Sequence, residues 1–230
     1  MFTIFASDKF FRMKNKEIQE HRMKGYFLQA TKDLLKAEGL KNVNVRNIAD
    51  RAGYSYATLY NYFKDINDLV FLCVYDFYEE CEQHVHAHAK KQERGIKRLR
   101  ASIRGYVDFF VQYPGIFALF FTEDFGSFKD RSHVTEVISL SLDRVCEEEW
   151  NYCVSKGLLK VEQVEPLKAQ IRHATLGLLL LYINQRAGFS YTELINRLNL
   201  QTNAILGSSL NEAGPGNFSV HNSLITIKVK

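Results

Sequence analysis

Between Val43 and Lys64 lie the side chains whose types and spacing could do chemistry. Tyr56, Ala57, Thr58, Tyr60, Asn61, Tyr62 and Lys64 place hydroxyls, a carboxamide and an ammonium within nine residues. Leu59 and Phe63 are the apolar positions among them that repeat at helical spacing. A helix built to fill a core would not spend so many positions on polar groups. A helix laid against DNA would, because hydroxyl, amide and ammonium groups bond base edges and phosphate oxygens. The Ala57 side chain and the Thr58 methyl could touch a thymine methyl, and the Thr58 hydroxyl could bond a base or a phosphate. Tyr60, Asn61 and Tyr62 could add hydrogen bonds, and Lys64 charge. The competing reading, an aromatic-rich packing helix, rests on the amphipathic character of tyrosine.

Two short helices must hold these groups. Asn44 is a good N-cap for the first, since its carbonyl oxygen can accept from a free backbone N–H of the opening turn. Val45, Ile48, Ala49 and Ala52 recur at i, i+3, i+4 and i+7 and give that helix one apolar face. Gly53 follows, where a helix end favours a residue tolerant of positive φ. Ser55 offers a second N-cap, and Leu59 with Phe63 supplies the buried stripe of the second helix. Two short helices around a glycine turn form a helix-turn-helix, whose second helix reads DNA with its N-terminal residues. Asn44, Arg46 and Ser55 complete the candidate DNA-binding set.

The run Leu59-Tyr60-Asn61-Tyr62-Phe63-Lys64, preceded by Ile48-Ala49 and Ala52-Gly53, resembles the DNA-binding domain of the TetR family of transcriptional regulators. Ala30-Thr31-Lys32-Asp33-Leu34-Leu35, with Gly39-Leu40 after it, is similar to that family's first helix and its exit. The resemblance spans about residues 20–72. It implies an all-α, two-fold homodimer that binds a palindromic operator and releases it when a ligand enters the C-terminal domain. One position departs from the family pattern. Where its members usually carry a phosphate-gripping lysine, three residues after the phenylalanine, this chain has Ile66. The grip would then fall to Tyr60, Tyr62, Lys64 and the basic N-terminal arm.

Charge is distributed as this reading requires. The chain of 230 residues has a net charge of +4, and residues 1–66 hold 12 Lys and Arg against 7 Asp and Glu. The remaining residues hold 18 basic against 19 acidic side chains, so the excess sits with the helix-turn-helix. Cys73, Cys81, Cys146 and Cys153 show no CxxC spacing, and the opening residues are too short an apolar run for a signal peptide. The run from Leu176 to Ile183 is far short of the roughly 20 residues of a membrane span. These features predict a cytoplasmic protein with reduced thiols, no cofactor and no membrane partner.

Apolar content of 46% and only three prolines favour an all-α chain with a sizeable core. We expect a flexible arm over 1–19 and a helix-turn-helix domain over 20–66. A ligand-binding and dimerisation domain follows over 67–207, and a tail over 208–230. Helices are expected over 67–90, 98–113, 116–121, 132–155, 165–186 and 191–206, with a loop over 124–129. Together with the first helix and the motif pair, nine helices are expected. In the tail, Leu224 to Val229 alternates like a strand after a breaker cluster, and a disordered tail is the preferred reading.

Tyr106, Phe109, Phe110, Phe117, Phe120, Phe121 and Trp150 are candidates to line a pocket for a small, mostly apolar effector. Ordinary core packing at helical spacing is the alternative. Ala174, Gly177, Leu178, Leu181 and Tyr182 form a broad apolar face suited to a dimer interface. Cys81, His84 and His88 share one helix face and could seat a metal with a fourth ligand. His86 off that face and Lys90 and Lys91 beyond it favour a solvated helix end, so no metal is expected. No phosphate loop or nucleophile elbow points to an enzyme. The expected function is a sequence-specific DNA-binding regulator, a repressor released by a small molecule. The alternative is a helical interaction module whose degenerate helix-turn-helix binds no DNA.

Overall fold

The computed structural model describes residues 3–123 and 132–211, and every regular element among them is helical. Helix α1 runs Thr3–Glu38, followed by a 3-10 turn at Leu40–Asn42. Then come α2 (Val45–Ala52), α3 (Tyr56–Tyr60), α4 (Ile66–Ala89), α5 (Ile96–Gln112) and α6 (Pro114–Phe121). The chain continues with α7 (Ser132–Ser139), α8 (Ser141–Val145), α9 (Glu147–Ser155), α10 (Val161–Ile183) and α11 (Tyr191–Asn211). None of these helices is long and apolar enough to cross a membrane.

The first helix begins well before the expected domain boundary. Residues 3–19, read from sequence as an arm, lie within α1, and no glycine or proline interrupts that stretch. The expected loop over 124–129 and the strand-like tail over 224–229 lie outside the described residues.

The count of nine helices is corrected to eleven α-helices and one 3-10 turn among the described residues. The difference lies mainly in 132–155, expected as one helix and found as three. Leu140 and Cys146 stand near φ −100° with ψ close to 0°, the bridge region at which the three helical segments meet. Ser141 explains the first break. Its hydroxyl lies 2.7 Å from the Tyr106 hydroxyl and donates to the Ile138 carbonyl at 2.8 Å, which satisfies buried polar groups at the bend. Helix α10 starts at Val161 rather than at the expected 165, so Pro166 lies in its second turn. The chain breaks earlier, at Gly157, whose φ of 67° suits glycine.

Two apolar clusters organise the packing. Phe27, Ala30 and Leu34 of α1 meet Ile48, Leu59, Phe63 and Leu69 in a small core around the helix-turn-helix. A larger core runs from Leu35 through α4, α5 and α6 to α10 and α11. The face of α4 that carries Val70, Cys73, Val74, Phe77 and Cys81 is buried throughout. Gly105 lets α5 close onto α4. A Cβ there would fall 3.2 Å from the His88 Cβ and 3.3 Å from the Val85 Cα, so a larger residue would need α4 to give by a few tenths of an ångström.

Candidate nucleic-acid interface

The turn between α2 and α3 is built as its residues require. The Asn44 side chain accepts from the Asn47 N–H at 2.9 Å, capping α2. Gly53 ends that helix in the left-handed region at φ 77° and returns its N–H to Ala49 and Asp50. Ser55 accepts from the Thr58 N–H at 3.1 Å and so starts α3. Only one apolar side chain of α3, Leu59, is wholly buried, and it ties the helix to Phe27 and Ile48.

This anchoring turns the polar side of α3 outward. Tyr56 and Tyr60 are 65% and 53% exposed, unusual for side chains that bury so much apolar area when they can. Arg46, Ala57, Asn61 and Lys64 are also exposed, and Thr58 is half-buried. Tyr62 differs from the other tyrosines: its ring leans on Phe27 at 6.3 Å, so it is half-buried beside the small core. Helix α3 is also shorter than the sequence implies. It ends at Tyr60, and Tyr62, Phe63 and Lys64 lie in the connection to α4. Asn44 and Ser55 engage their side chains in caps, and the Ser55 hydroxyl lies 2.9 Å from that of Thr58. Ile66 opens α4 and packs against the small core, where a lysine would have to reach past it to solvent.

A second stack borders the same face. Tyr26 of α1 and Tyr54 of the turn lie with ring centroids 5.9 Å apart and planes 29° from parallel, and both are exposed. Sequence reading missed Tyr26 because no local pattern links it to a turn 28 residues away.

The helix-turn-helix is fixed to the rest of the molecule through an ionic joint between α1 and α4. Lys32 lies 3.1 Å from Asp76 and 2.7 Å from Glu80, and Lys36 lies 2.7 Å from Glu80. The Lys36 ammonium also sits 5.3 Å from the Phe77 ring centroid and 5.1 Å from that of Tyr113. Burial would raise the Glu80 pKa, but hydrogen bonds and charge from Lys32 and Lys36 prevail and hold it below the ordinary range. For Lys32, burial works against the charge, yet Glu80 and Asp76 raise its pKa above the ordinary value. A signal for this joint stood in the sequence: Lys32 and Lys36 are four residues apart, as are Asp76 and Glu80, matching stripes on two helices. Gly115 adds a backbone contact, since a Cβ there would fall 2.5 Å from the Leu35 carbonyl oxygen.

The residues proposed from sequence to line a pocket are packed against one another. Phe110 meets Tyr106, Phe109, Phe117, Phe120 and Phe121 at centroid distances of 4.8 to 5.8 Å, mostly edge to face. Phe121 is half-buried, and Trp150 is buried in the same core. None of the seven lines either of two cavities found elsewhere. The first, of about 400 Å³, lies between the end of α4, the start of α5 and α9, with Gln83, His86, Lys90, Arg98, Glu148 and Glu149 on its walls. The second, of about 490 Å³, lies between the α5–α6 turn and the α10–α11 connection, walled by Val111, Pro114, Tyr182, Ile183, Gln185 and Phe189.

Of the five candidate interface residues on α10, Gly177 and Leu181 are exposed, Ala174 and Tyr182 are half-buried, and Leu178 is buried within its own chain. Leu178 therefore faces the monomer core, because it stands on the side of α10 that packs against α5 and α11. Cys81 is buried, and desolvation first, then nearby Cys146, pushes its thiol far above the ordinary range. His84 is held below its usual pKa by burial and by His88. Among the described residues no group of three or more such side chains could hold a metal.

An all-helical body carrying a capped helix-turn-helix, with an exposed tyrosine-rich second helix, defines a helix-turn-helix DNA-binding protein. The family model described as bacterial regulatory proteins, tetR family, matches residues 27–73. The chain is a DNA-binding transcriptional regulator with the tetR-family DNA-binding domain. The fold agrees with solved structures over most of its length. A tetR-family transcriptional regulator from Streptomyces coelicolor aligns with a TM-score of 0.65 at 16% identity, over 84% of this chain and 88% of that one. A TetR family transcription regulator from Marinobacter aquaeolei VT8 aligns at 0.57 and 16% identity, over 82% and 97%. RolR, solved in complex with its ligand resorcinol, aligns at 0.61 and 14% identity, over 85% and 92%. No curated protein matches the chain.

Proposed function

We propose that the protein is a cytoplasmic homodimeric repressor, not an enzyme, which binds a palindromic operator and leaves it when a small, mostly apolar molecule binds. The division of labour is residues 20–66 for DNA and 67–207 for ligand and dimer. The observation that carries the reading is α3 itself: Leu59 anchors it while Tyr56 and Tyr60 stand in solvent at a correctly capped helix start. Tyr56, Ala57 and Thr58 would meet base edges, and Asn44, Arg46, Ser55, Tyr60, Asn61, Tyr62 and Lys64 would set the register on phosphates.

Dimerisation is supported by apolar surface that α10 and α11 leave uncovered. Leu180, Leu181 and Leu200 are 44%, 43% and 69% exposed, and nothing lies within 4 Å of a Cβ built at Gly177. The same face on a second chain would cover them, forming a four-helix contact that sets two recognition helices one or more DNA turns apart. RolR's resorcinol complex supports a small ring-bearing effector.

The test is binding of random-sequence duplex DNA at low and rising salt, followed by selection of a preferred site. A linear fall of log affinity with log salt and a palindromic selected site are expected. No binding at low salt overturns the reading. In parallel, Leu181→Asp should convert a dimer to a monomer in light scattering, while a wild type that is already monomeric refutes the interface.

A further inference from the structure

We infer that the cavity between the α5–α6 turn and the α10–α11 connection binds a small, uncharged, flat ring compound, and that the Pro114–Gly115 turn passes its occupancy to α1. This rests on the ligand-responsive reading above and adds to it a location, a chemistry and a route.

The chemistry follows from the walls. Val111, Pro114, Ile183 and Phe189 are apolar walls, and Tyr182, Gln185 and Gly188 complete the lining. No charged side chain lines the space. Neutral walls favour an uncharged ligand over an ionic one, although the exposed Pro114, Gln185 and Gly188 keep one side of the space open to water. Tyr182 and Phe189 stack with centroids 6.0 Å apart and planes 28° from parallel, too close to admit a ring between them, so a ligand ring would pack on an outer face or edge of the pair. The Arg197 guanidinium lies 5.0 Å from the Phe189 centroid and fixes that ring from another element. A volume of about 490 Å³ lies within the range of small-molecule sites. Gln185 holds φ 51° because it closes α10, its N–H bonding the Tyr182 carbonyl and the Arg186 N–H that of Leu181. The other cavity has ionic walls and lies at the far end of α4 from the helix-turn-helix.

The route follows from contiguity. Pro114 is a wall of the cavity, and the next residue, Gly115, abuts the carbonyls of Leu35 and Lys36 at the end of α1. Tyr113, on the other side of Pro114, has the Lys36 ammonium over its ring. A ligand that moves Pro114 must move the turn, and the turn has no slack against α1 because its contact is with backbone oxygen atoms. Helix α1 carries Phe27, Ala30 and Leu34, which hold α3 in place.

The test uses the full chain and the neutral fluorescent probe N-phenyl-1-naphthylamine, with 1-anilinonaphthalene-8-sulfonate as its charged counterpart. The neutral probe should bind at least tenfold more tightly than the sulfonate. Phe189→Ala should weaken it at least tenfold, and Val111→Trp, which fills the space, should abolish it. Gln83→Ala in the other cavity should leave it unchanged. Saturating probe should weaken binding to random duplex DNA at low salt. Gly115→Ala should weaken DNA binding without probe and leave probe affinity within about threefold. Far-UV circular dichroism checks each variant, and Val111→Trp decides the site if Phe189→Ala does not fold. Equal affinity for both probes, or binding indifferent to Val111→Trp, overturns the site. Probe bound without effect on DNA affinity overturns the route. Cavity-dependent probe binding by a chain that binds no DNA at any salt supports the site and overturns the regulator reading instead.

Discussion

Replacing Glu80 by glutamine removes the charge on which Lys32 and Lys36 both converge, so it tests whether the ionic joint holds the helix-turn-helix in position. Each ammonium reaches Glu80 at 2.7 Å, while the Glu80 side chain is 32% exposed and that of Lys32 13%. A charge-assisted hydrogen bond contributes about 1.5–3 kcal/mol when well shielded. Partial exposure screens this one toward the lower values of surface pairs. Glutamine keeps an acceptor, and Lys32 keeps Asp76 at 3.1 Å. The net cost is then about 1–2 kcal/mol, a fall in Tm of about 2–8 °C for a chain of this size. The pH dependence has a definite sign. Glu80 is held below its ordinary pKa in the folded state, with the lysine hydrogen bonds prevailing over burial. Its contribution is therefore complete above the unfolded value of about 4.5 and is lost as pH falls through the lower folded value. Calorimetry from pH 7 down to about pH 3.5 should show the gap between wild type and Glu80→Gln at full size near neutrality and closing in acid. A double-mutant cycle with Lys36→Met should return a coupling of about 0.5–2 kcal/mol. Equal Tm values at pH 7, or a gap that persists unchanged into acid, would refute the reasoning.

Three further outcomes follow from the same contacts. Ser55→Ala removes the cap of a five-residue helix and should cost about 1 kcal/mol in a denaturant melt, with Ser55→Asp restoring it. Lys64→Ala should weaken DNA binding by a similar factor on every sequence and lower the salt slope by about one, read by titration at several salt concentrations. Glu149→Ala should lower the unfolding free energy by about 1–3 kcal/mol in a denaturant melt, chiefly because the buried Gly95 N–H loses its acceptor while the exposed Arg94 regains water. This buried carboxylate accepts from the Gly95 N–H at 3.0 Å and from Arg94 at 3.2 Å, and both donors would be left without it.

The helix-turn-helix was legible because its determinants are local. Asn44, Gly53 and Ser55 act on backbone groups within three or four residues, and Leu59 with Phe63 follows one helical stripe. Tyr56 and Tyr60 could be assigned to DNA only from the crowding of polar groups on the second helix, because their spacing to Leu59 and Phe63 is equally compatible with burial. Less legible was where α3 stops, since Tyr62 and Phe63 continue the pattern after the helix has ended at Tyr60. The break of 132–155 at Leu140 was not legible at all. It depends on Ser141 finding the Tyr106 hydroxyl, and the two are 35 residues apart.

The aromatic residues of α5 and α6 mark the division most clearly. Their types and spacing determine an apolar face, but whether such a face fills a core or lines a space is a question of what lies opposite. In this fold the rings of Phe110, Phe117, Phe120 and Phe121 lie opposite one another, and space remains instead beside Tyr182 and Phe189. By itself the sequence determined the helical class, the capped turn, the exposed recognition surface and the placement of basic charge. These depend on neighbours in the chain and on the helical period. Only the tertiary structure decided the ionic joint, the cavities and the seat of Gly115 on α1, because each forms between elements whose relative placement no local pattern encodes.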